Sequence, residues 1–339
     1  MEYTLYTQTS EVWDRIIQDI DQAKKTILLN NYIISGLKEG QIGKQIIDAL
    51  QRANKRGVSV ELILDGFGSI EVWNRSSKLL HGIEVRFYND KPKWKHWWVN
   101  IFLRDHRKLT VIDDDITHIG GVVFQQETKE WQDLSARIID PNTAHEAKRV
   151  FNHHKMKLLE RKTTRIKRKL FLSHDMDFKR GQIYQEIMHR IKHAQRNVVF
   201  HTPYLSVPLL LAKRIKRAVK KGVDVTLIVP EHSDSRLENI VAKREIDKLR
   251  KLGVNVYQQS KMNHAKVVMV DDWVTFGSCN IDRLSLHYNN ELNIQFTDQK
   301  IVKDISKILD TWKQESKVVD EKQSSPINTI LAELLKFIV

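Results

Sequence analysis

Cysteine is almost absent from this chain: Cys279 is the only one in 339 residues. An intramolecular disulfide is therefore impossible and no cysteine-based zinc cluster can be built, which fits a reducing compartment. The thiol itself reads as a packed core group. Long apolar runs are missing too. No stretch approaches the roughly 20 residues that span a bilayer, and the start, MEYTLYTQTSEVWDR, lacks the basic segment followed by an apolar one that marks a leader. The expectation is a chain neither secreted nor integral to a membrane. Acids are in deficit, with 42 Asp plus Glu against 56 Lys plus Arg, for a formal charge of +14. A field of that sign draws polyanions, so nucleic acid and anionic lipid surfaces are the candidate partners.

What is present is a repeat. Residues 14–66 run as an amphipathic helix pattern (Ile16, Ile17, Ile20, Ala23), an apolar strand (Thr26 to Ile34), a second helix pattern (Ile42, Ile46, Ile47, Leu50, Ala53) and the strand GVSVELILDG. Residues 183–231 repeat that order through Ile187, Ile191 and Ala194, then NVVFHTPYL, a helix around Leu210 to Val219, and GVDVTLIVPE. The correspondence continues, HGIEVRFYN at 81–89 matching LGVNVYQQ at 252–259. Helices alternating with β-branched runs predict an α/β fold with buried, mainly parallel strands covered by helices. The length supports two such domains. KMKLLERKTTRIKRK, residues 155–169, holds eight basic residues and one acid and is the expected boundary. Its bland reading is a solvated basic linker, its sharper one a patch for phosphate-rich surfaces. The predicted division is a first lobe over 1–154, a basic linker over 155–176, a second lobe over 177–320 and a tail over 321–339.

Each half carries His-x-Lys-x-x-x-x-Asp: HRKLTVID at 106–113 and HAKVVMVD at 264–271. Composition alone yields one such match about one time in ten and two on the order of one in a hundred. The apolar alternation that follows puts His106 with Lys108, and His264 with Lys266, at the mouth of a strand and on one face of it. A carboxylate then follows in the same register, Asp133 lying 27 residues after His106 and Glu291 27 after His264. The chemistry suits these groups. One imidazole whose tautomer is fixed by a carboxylate can act as nucleophile while a second protonates a leaving alkoxide, and the lysines can hold non-bridging phosphate oxygens. Ser278 and Asn280 offer further donors, with backbone amides at Gly120 and Gly121. Asp113 and Asp271 complete the motif, but as strand-ending residues they read as turn formers, so histidine orientation is assigned to Asp133 and Glu291. No histidine pair has the spacing or carboxylate cluster of a hydrolytic metal site, and no metal or cofactor is expected.

The duplicated motif resembles that of the phospholipase D superfamily, and the chain from about residue 14 is similar to bacterial cardiolipin synthases. NNYII at 30–34, LDGFGS at 64–69, WQDLSARI, TPYL at 202–205 and HAKVVMVDDWVTFGSCNIDRLSLHYNNELN carry the likeness. In the last segment Asn280, Asp282, Arg283, Ser285, Asn290, Glu291 and Asn293 fall on the family's pattern. The resemblance implies two tandem, pseudo-twofold-related lobes sharing one active site. It also implies phosphatidyl transfer through a phosphohistidine, with His106 as nucleophile, His264 as general acid, and phosphatidylglycerol or phosphatidylethanolamine as substrates. A peripheral enzyme at the cytoplasmic face of the bacterial inner membrane follows from it. The family often carries two membrane-spanning helices before the catalytic region, and none is present here. Its Gly-Gly-x-Asn after the first motif reads Gly120-Gly121-Val122-Val123, so a side-chain amide is lost. A lipid hydrolase or a nuclease of the same superfamily are the alternatives, and a non-enzymatic binding module a more remote one.

Two segments suggest membrane contact. KPKWKHWWVNIFLR at 91–104 mixes lysines with Trp94, Trp97 and Trp98, the composition of an interfacial anchor; core packing and single-stranded nucleic acid are the competing uses of such a stretch. In the tail PINTILAELLKFIV, Ile327, Ile330, Leu331, Leu334, Leu335 and Ile338 share one helical face after Ser324, Ser325 and Pro326. A helix of that length reaches about 21 Å, too short to cross, so it lies flat on a membrane or docks on the protein itself.

Overall fold

The computed structural model describes residues 1–89, 103–159, 169–174, 181–325 and 332. The chain divides into two compact units, the first formed by Met1–Leu172 with Asn290–Leu292, the second by Ser173–Asn289 with Asn293–Val339. The first contains β1 (Glu2–Gln8), α1 (Thr9–Gln22), β2 (Thr26–Asn31), α2 (Ile42–Lys55), β3 (Ser59–Asp65), α3 (Ile70–Trp73), α4 (Ser76–Leu79), β4 (Glu84–Tyr88), β5 (Leu109–Ile112), β6 (Ile116–Gly120), β7 (Gln132–Ile139) and α5 (Pro141–Leu158). Its sheet runs β1-β7-β6-β5-β2-β3-β4.

After β8 (Phe171–His174) the same order returns: α6 (Gln182–His193), β9 (Asn197–His201), α7 (Leu209–Lys220), β10 (Asp224–Pro230), α8 (Arg236–Lys251), β11 (Asn255–Gln259), β12 (Val267–Val270), β13 (Trp273–Gly277), α9 (Arg283–His287), β14 (Glu291–Phe296), α10 (Gln299–Gln314) and β15 (Lys317–Val318). The second sheet runs β15-β11-β10-β9-β12-β13-β14-β8, the first order reversed with one strand added. The repeat is thus an entire sheet, and it includes β1 and β8, which the spacing of the helices did not reveal.

Both sheets are mixed, but parallel pairing is narrower than helix–strand alternation predicts. Among the strands it joins β2-β3-β4 and β9-β10-β11, while β1, β5, β6 and β7 join antiparallel. The reason is local. Asp113-Asp114 and Asp271-Asp272 make tight turns, and a turn that short can only return the chain antiparallel, since a parallel neighbour needs a crossover of a dozen residues or more.

The helices form where apolar residues recur at helical spacing. α1 buries Val12, Trp13, Ile16 and Ile20, and the Trp13 indole donates to Val123 O at 2.8 Å. Its Asp19 is also buried, accepting from His118 at 2.7 Å and from Arg137 at 2.7 and 2.9 Å. Burial alone would raise the Asp19 carboxyl; those donors and Arg15 outweigh it and hold the group well below the usual carboxylate range. α2 lays Ile42, Ile46, Ile47, Leu50 and Ala53 against the sheet, and Ile27 and Leu29 of β2 meet them in one core. Cutting one of these aliphatic residues to Ala costs about 2–5 kcal/mol.

The expected boundary at 155 falls inside α5, which Asp140 caps and Pro141 starts and which continues to Leu158. Lys155 is no linker charge: its ammonium meets Glu61 at 2.5 Å and Glu84 at 3.0 Å. The start of the expected tail is also structural. The amides of Gln323 and Ser324 donate to the Asp247 carboxylate of α8 at 2.8 and 2.9 Å, and Ala332 is buried against Val241. Trp94, Trp97, Trp98, Leu331, Leu334 and Leu335 lie outside the described residues.

Candidate active site

In each unit the motif opens at the same end of the sheet. Lys108 precedes β5, whose first residue Leu109 pairs with Asn30 near the carboxyl end of β2; Lys266 precedes β12, whose Val267 pairs with His201, the last residue of β9. This is the end at which parallel strands collect ligands.

His106 is placed by backbone bonds. Its amide donates to Asn290 O and the Asn290 amide to Arg104 O, both at 2.9 Å, so residues 104–106 run as a parallel bridge beside residue 290. The next residue, Glu291, is fully buried, and its carboxylate oxygens lie 3.0 and 3.1 Å from His106 Nδ1. A carboxylate accepts only, so Nδ1 carries the proton and Nε2 is the basic nitrogen of the neutral ring. The Tyr32 ring stands edge-on to the imidazole with centroids 4.9 Å apart.

Lys108 turns to the same face as His106 and donates from Nζ to His106 O at 2.6 Å. Burial pushes its ammonium down to about 8, against the opposing pull of Glu291, Asp133, Asp105 and Asp65. Arg107 points the other way and is buried near Asp105, 3.8 Å between nitrogen and oxygen. Asp105 in turn accepts from Asn30 and His154 at 2.9 Å each. Burial opposes its ionisation, but His154, Arg107 and Asn30 outweigh that and hold the carboxyl low. Asp65, at the end of β3, receives the Asp105 amide at 2.9 Å; burial lifts it to about 6 despite the amides of Gly68 and Asp105.

The second unit repeats the pattern. Lys266 Nζ donates to His264 O, and Tyr204 stands edge-on to His264 at 6.0 Å. Ser278 and Asn280 are buried beyond β13; the Asn280 amide donates to Ser285 Oγ at 3.3 Å, and the Cys279 amide to Asn293 at 3.1 Å. Cys279 is buried, as expected of a core thiol.

Asp113 and Asp271, which complete the motifs, are not at this end. Each sits past the far end of its four-residue strand, roughly 13 Å or more along the chain from the catalytic end, at φ 53° and 50°. Asp113 accepts from the amides of Lys24, Lys25 and Thr26 at 2.7, 2.7 and 3.0 Å. Asp271 accepts from Gln195, Arg196 and Asn197 at 2.9, 2.9 and 3.1 Å. These carboxylates tie the turn after the motif strand to the start of the neighbouring strand.

Asp133 is buried on β7, its carboxylate accepting the Leu134 amide at 2.6 Å. Gly120 and Gly121 are explained by close approach: a Cβ at Gly120 would lie 2.0 Å from Ser135 Oγ, and one at Gly121 2.5 Å from both Asp133 oxygens. The missing side chain makes room for Ser135 at Gly120 and for Asp133 at Gly121. Val123, which stands where the resemblance expects an amide, is buried, as is Val122.

Sequence reasoning missed Tyr32 and Tyr204, whose signal was their matched place in NNYII and TPYL, and it missed the Asp65, Asp105 and His154 network, which has no repeat partner to flag it. Among the described residues no group of three or more His, Cys, Asp or Glu is arranged to hold a metal ion.

A family model described as cardiolipin synthase, PLD-like domain, matches residues 16–163 and 187–313. Cardiolipin synthase B of Salmonella typhimurium is 30% identical over 313 residues, covering 85% of this chain and 75% of that protein. Cardiolipin synthase B of Escherichia coli K12 is 28% identical over the same shares. Among solved structures, phosphatidylserine synthase of Haemophilus influenzae Rd KW20 shares the fold at a TM-score of 0.71 and 16% identity, over 99% of this chain and 92% of that one.

Proposed function

The chain belongs to the cardiolipin synthase, phospholipase D-like domain family, and on that premise we propose that it moves a phosphatidyl group from one phospholipid to the hydroxyl of phosphatidylglycerol through a phosphohistidine. The observation that carries this reading is the Glu291 carboxylate 3.0 Å from His106 Nδ1. A buried histidine held in that tautomer keeps Nε2 as its basic nitrogen and has its positive charge offset once that nitrogen bonds to phosphorus. In the first step Nε2 attacks the phosphorus of the donor lipid, the bond to the head-group oxygen breaks, and His264 gives that oxygen its proton. In the second, His264 takes the proton of the acceptor hydroxyl, whose oxygen displaces His106. Lys108 and Lys266 hold the non-bridging oxygens while phosphorus is five-coordinate. Asp133, equivalent to Glu291 in the repeat, is assigned the same orienting role.

The donor is phosphatidylglycerol or phosphatidylethanolamine, and the enzyme works peripherally at the cytoplasmic face of a bacterial inner membrane. The formal charge of +14 supports an anionic surface as its partner, and among the described residues no helix is long and apolar enough to cross a membrane. The test is incubation with phosphatidylglycerol vesicles, alone and with phosphatidylethanolamine, and separately with DNA and RNA, followed by mass analysis. Cardiolipin is the expected product, and His106→Ala and His264→Ala should each abolish it. Phosphatidic acid alone would replace transfer by hydrolysis, cleaved nucleic acid would replace lipid as substrate, and an adduct found only on His264 would reverse the two histidine roles.

A further inference from the structure

A cleft of about 580 Å³ opens on the second unit between α6 and α7, away from the motif residues, and is lined by Lys192, Lys213, Arg214 and Arg217 among others. None of these four cations makes an ion pair among the described residues. α7 carries no acid at all, and the one acid of α6, Glu186, is already bonded to Arg190 at 2.7 Å. At the amino end of α7 the charge gives way to grease: Leu209 is 70% and Leu210 55% exposed. That end is the catalytic end of the sheet, because α7 follows β9, whose last residue His201 pairs with Val267 just after Lys266. The same placement recurs in the first unit, where exposed Phe67, Ile70 and Trp73 follow the carboxyl end of β3.

We propose that the α6–α7 face is a docking surface for a bilayer bearing anionic phospholipids, with lipid phosphates in the basic cleft and Leu209 and Leu210 entering the acyl boundary. Cations beside exposed leucines match such an interface in both its charged and its apolar layer. Nucleic acid fits less well. A single-strand groove uses exposed Phe, Tyr or Trp rings as stacking platforms, whereas the one such ring lining this cleft, Tyr184, is buried and set edge-on to His287 at 4.9 Å, and the exposed ring here is the smaller His189 imidazole. Docking here would turn the end of the sheet that carries His264 toward its lipid.

The inference rests on the lipid reading above, and binding is therefore measured apart from turnover. Full-length protein is co-sedimented with phosphatidylcholine vesicles with and without phosphatidylglycerol, while turnover is followed on a short-chain, soluble phosphatidylglycerol. Lys213→Gln, Arg214→Gln and Arg217→Gln together should lower partitioning onto the anionic vesicles by roughly 100-fold, at about a factor of five per basic residue, and leave short-chain turnover unchanged. Leu209→Ser with Leu210→Ser should weaken the binding that survives high salt, where charges are screened. Partitioning of the triple variant equal to wild type overturns the proposal even if short-chain turnover establishes the enzyme. So does a wild type that binds phosphatidylcholine alone equally well, or a triple variant that loses single-stranded oligonucleotide binding while keeping vesicle binding.

Discussion

Glu291→Gln is the sharpest test of the site because it changes charge and proton pattern while conserving shape. The carboxylate is fully buried and 3.0 Å from His106 Nδ1. When His106 becomes positive on bonding phosphorus, a unit charge centred about 4 Å away at an effective dielectric near 20 stabilises it by about 4 kcal/mol. Losing that is worth about 10³ in kcat. The amide NH₂ can also present itself to Nδ1 and favour the wrong tautomer, a change known to cost about 10⁴ where an aspartate is made an asparagine. A fall of 10³ to 10⁴ in kcat on short-chain phosphatidylglycerol is therefore expected, with KM and melting temperature near wild type. A second signature comes from Lys108, whose ammonium burial has pushed down to about 8 while Glu291 is the largest charge pulling it back up. Without Glu291 the lysine loses its proton at lower pH, so the alkaline limb of the rate profile should move toward neutrality. A variant that melts like wild type and turns over within tenfold of it would refute the orienting role of Glu291.

Asp113→Asn and Asp271→Asn should spare kcat and cost about 1–2 kcal/mol each, because an amide oxygen replaces a charged acceptor of three amide donors; a kcat loss matching that of Glu291→Gln, at unchanged Tm, would return these residues to the catalytic set. Burial beside Asp282 and Asp234 pushes Glu238 up to about 8 from 4.5, so the native state holds a proton that the unfolded chain has released throughout that window, and stability falls as pH rises through it. Glu238→Gln should flatten the dependence of Tm on pH between 5 and 8 and melt higher than wild type at pH 8; an unchanged slope would show the group is not the source. Gly121→Ala should displace the Asp133 carboxylate, whose oxygens would lie 2.5 Å from the new Cβ. Its kcat loss should therefore not add to that of Asp133→Asn, and additive losses would separate the two residues.

Much of this is legible in the sequence. Periodicity is a local property, and Ile42, Ile46, Ile47, Leu50 and Ala53 declare one helical face in any context, so the helices, the central strands and the repeat could be read directly. The motif was legible for the same reason: His, Lys and Asp hold fixed places along one strand, and the strand-ending position of Asp113 and Asp271 already pointed to the turn role that their three amide donors occupy. Register within each half likewise singled out Asp133 and Glu291 as carboxylates worth attention, and both are buried.

What the sequence could not settle was partnership across long separations. Pairing direction depended on turn length rather than on hydrophobic pattern, which is why antiparallel strands outnumber the parallel ones expected. The carboxylate at His106 is Glu291, 185 residues away, because residues 290–292 fold into the first unit rather than staying with their own repeat. Asp105, His154, Asn30 and Asp65 likewise form one hydrogen-bonded network although no motif joins them. Spacing along a chain fixes which groups share a strand or a helical face. Only the packing of distant strands decides which buried charge meets which histidine, and in a low-dielectric interior that meeting sets the tautomer, the proton affinity and therefore the chemistry.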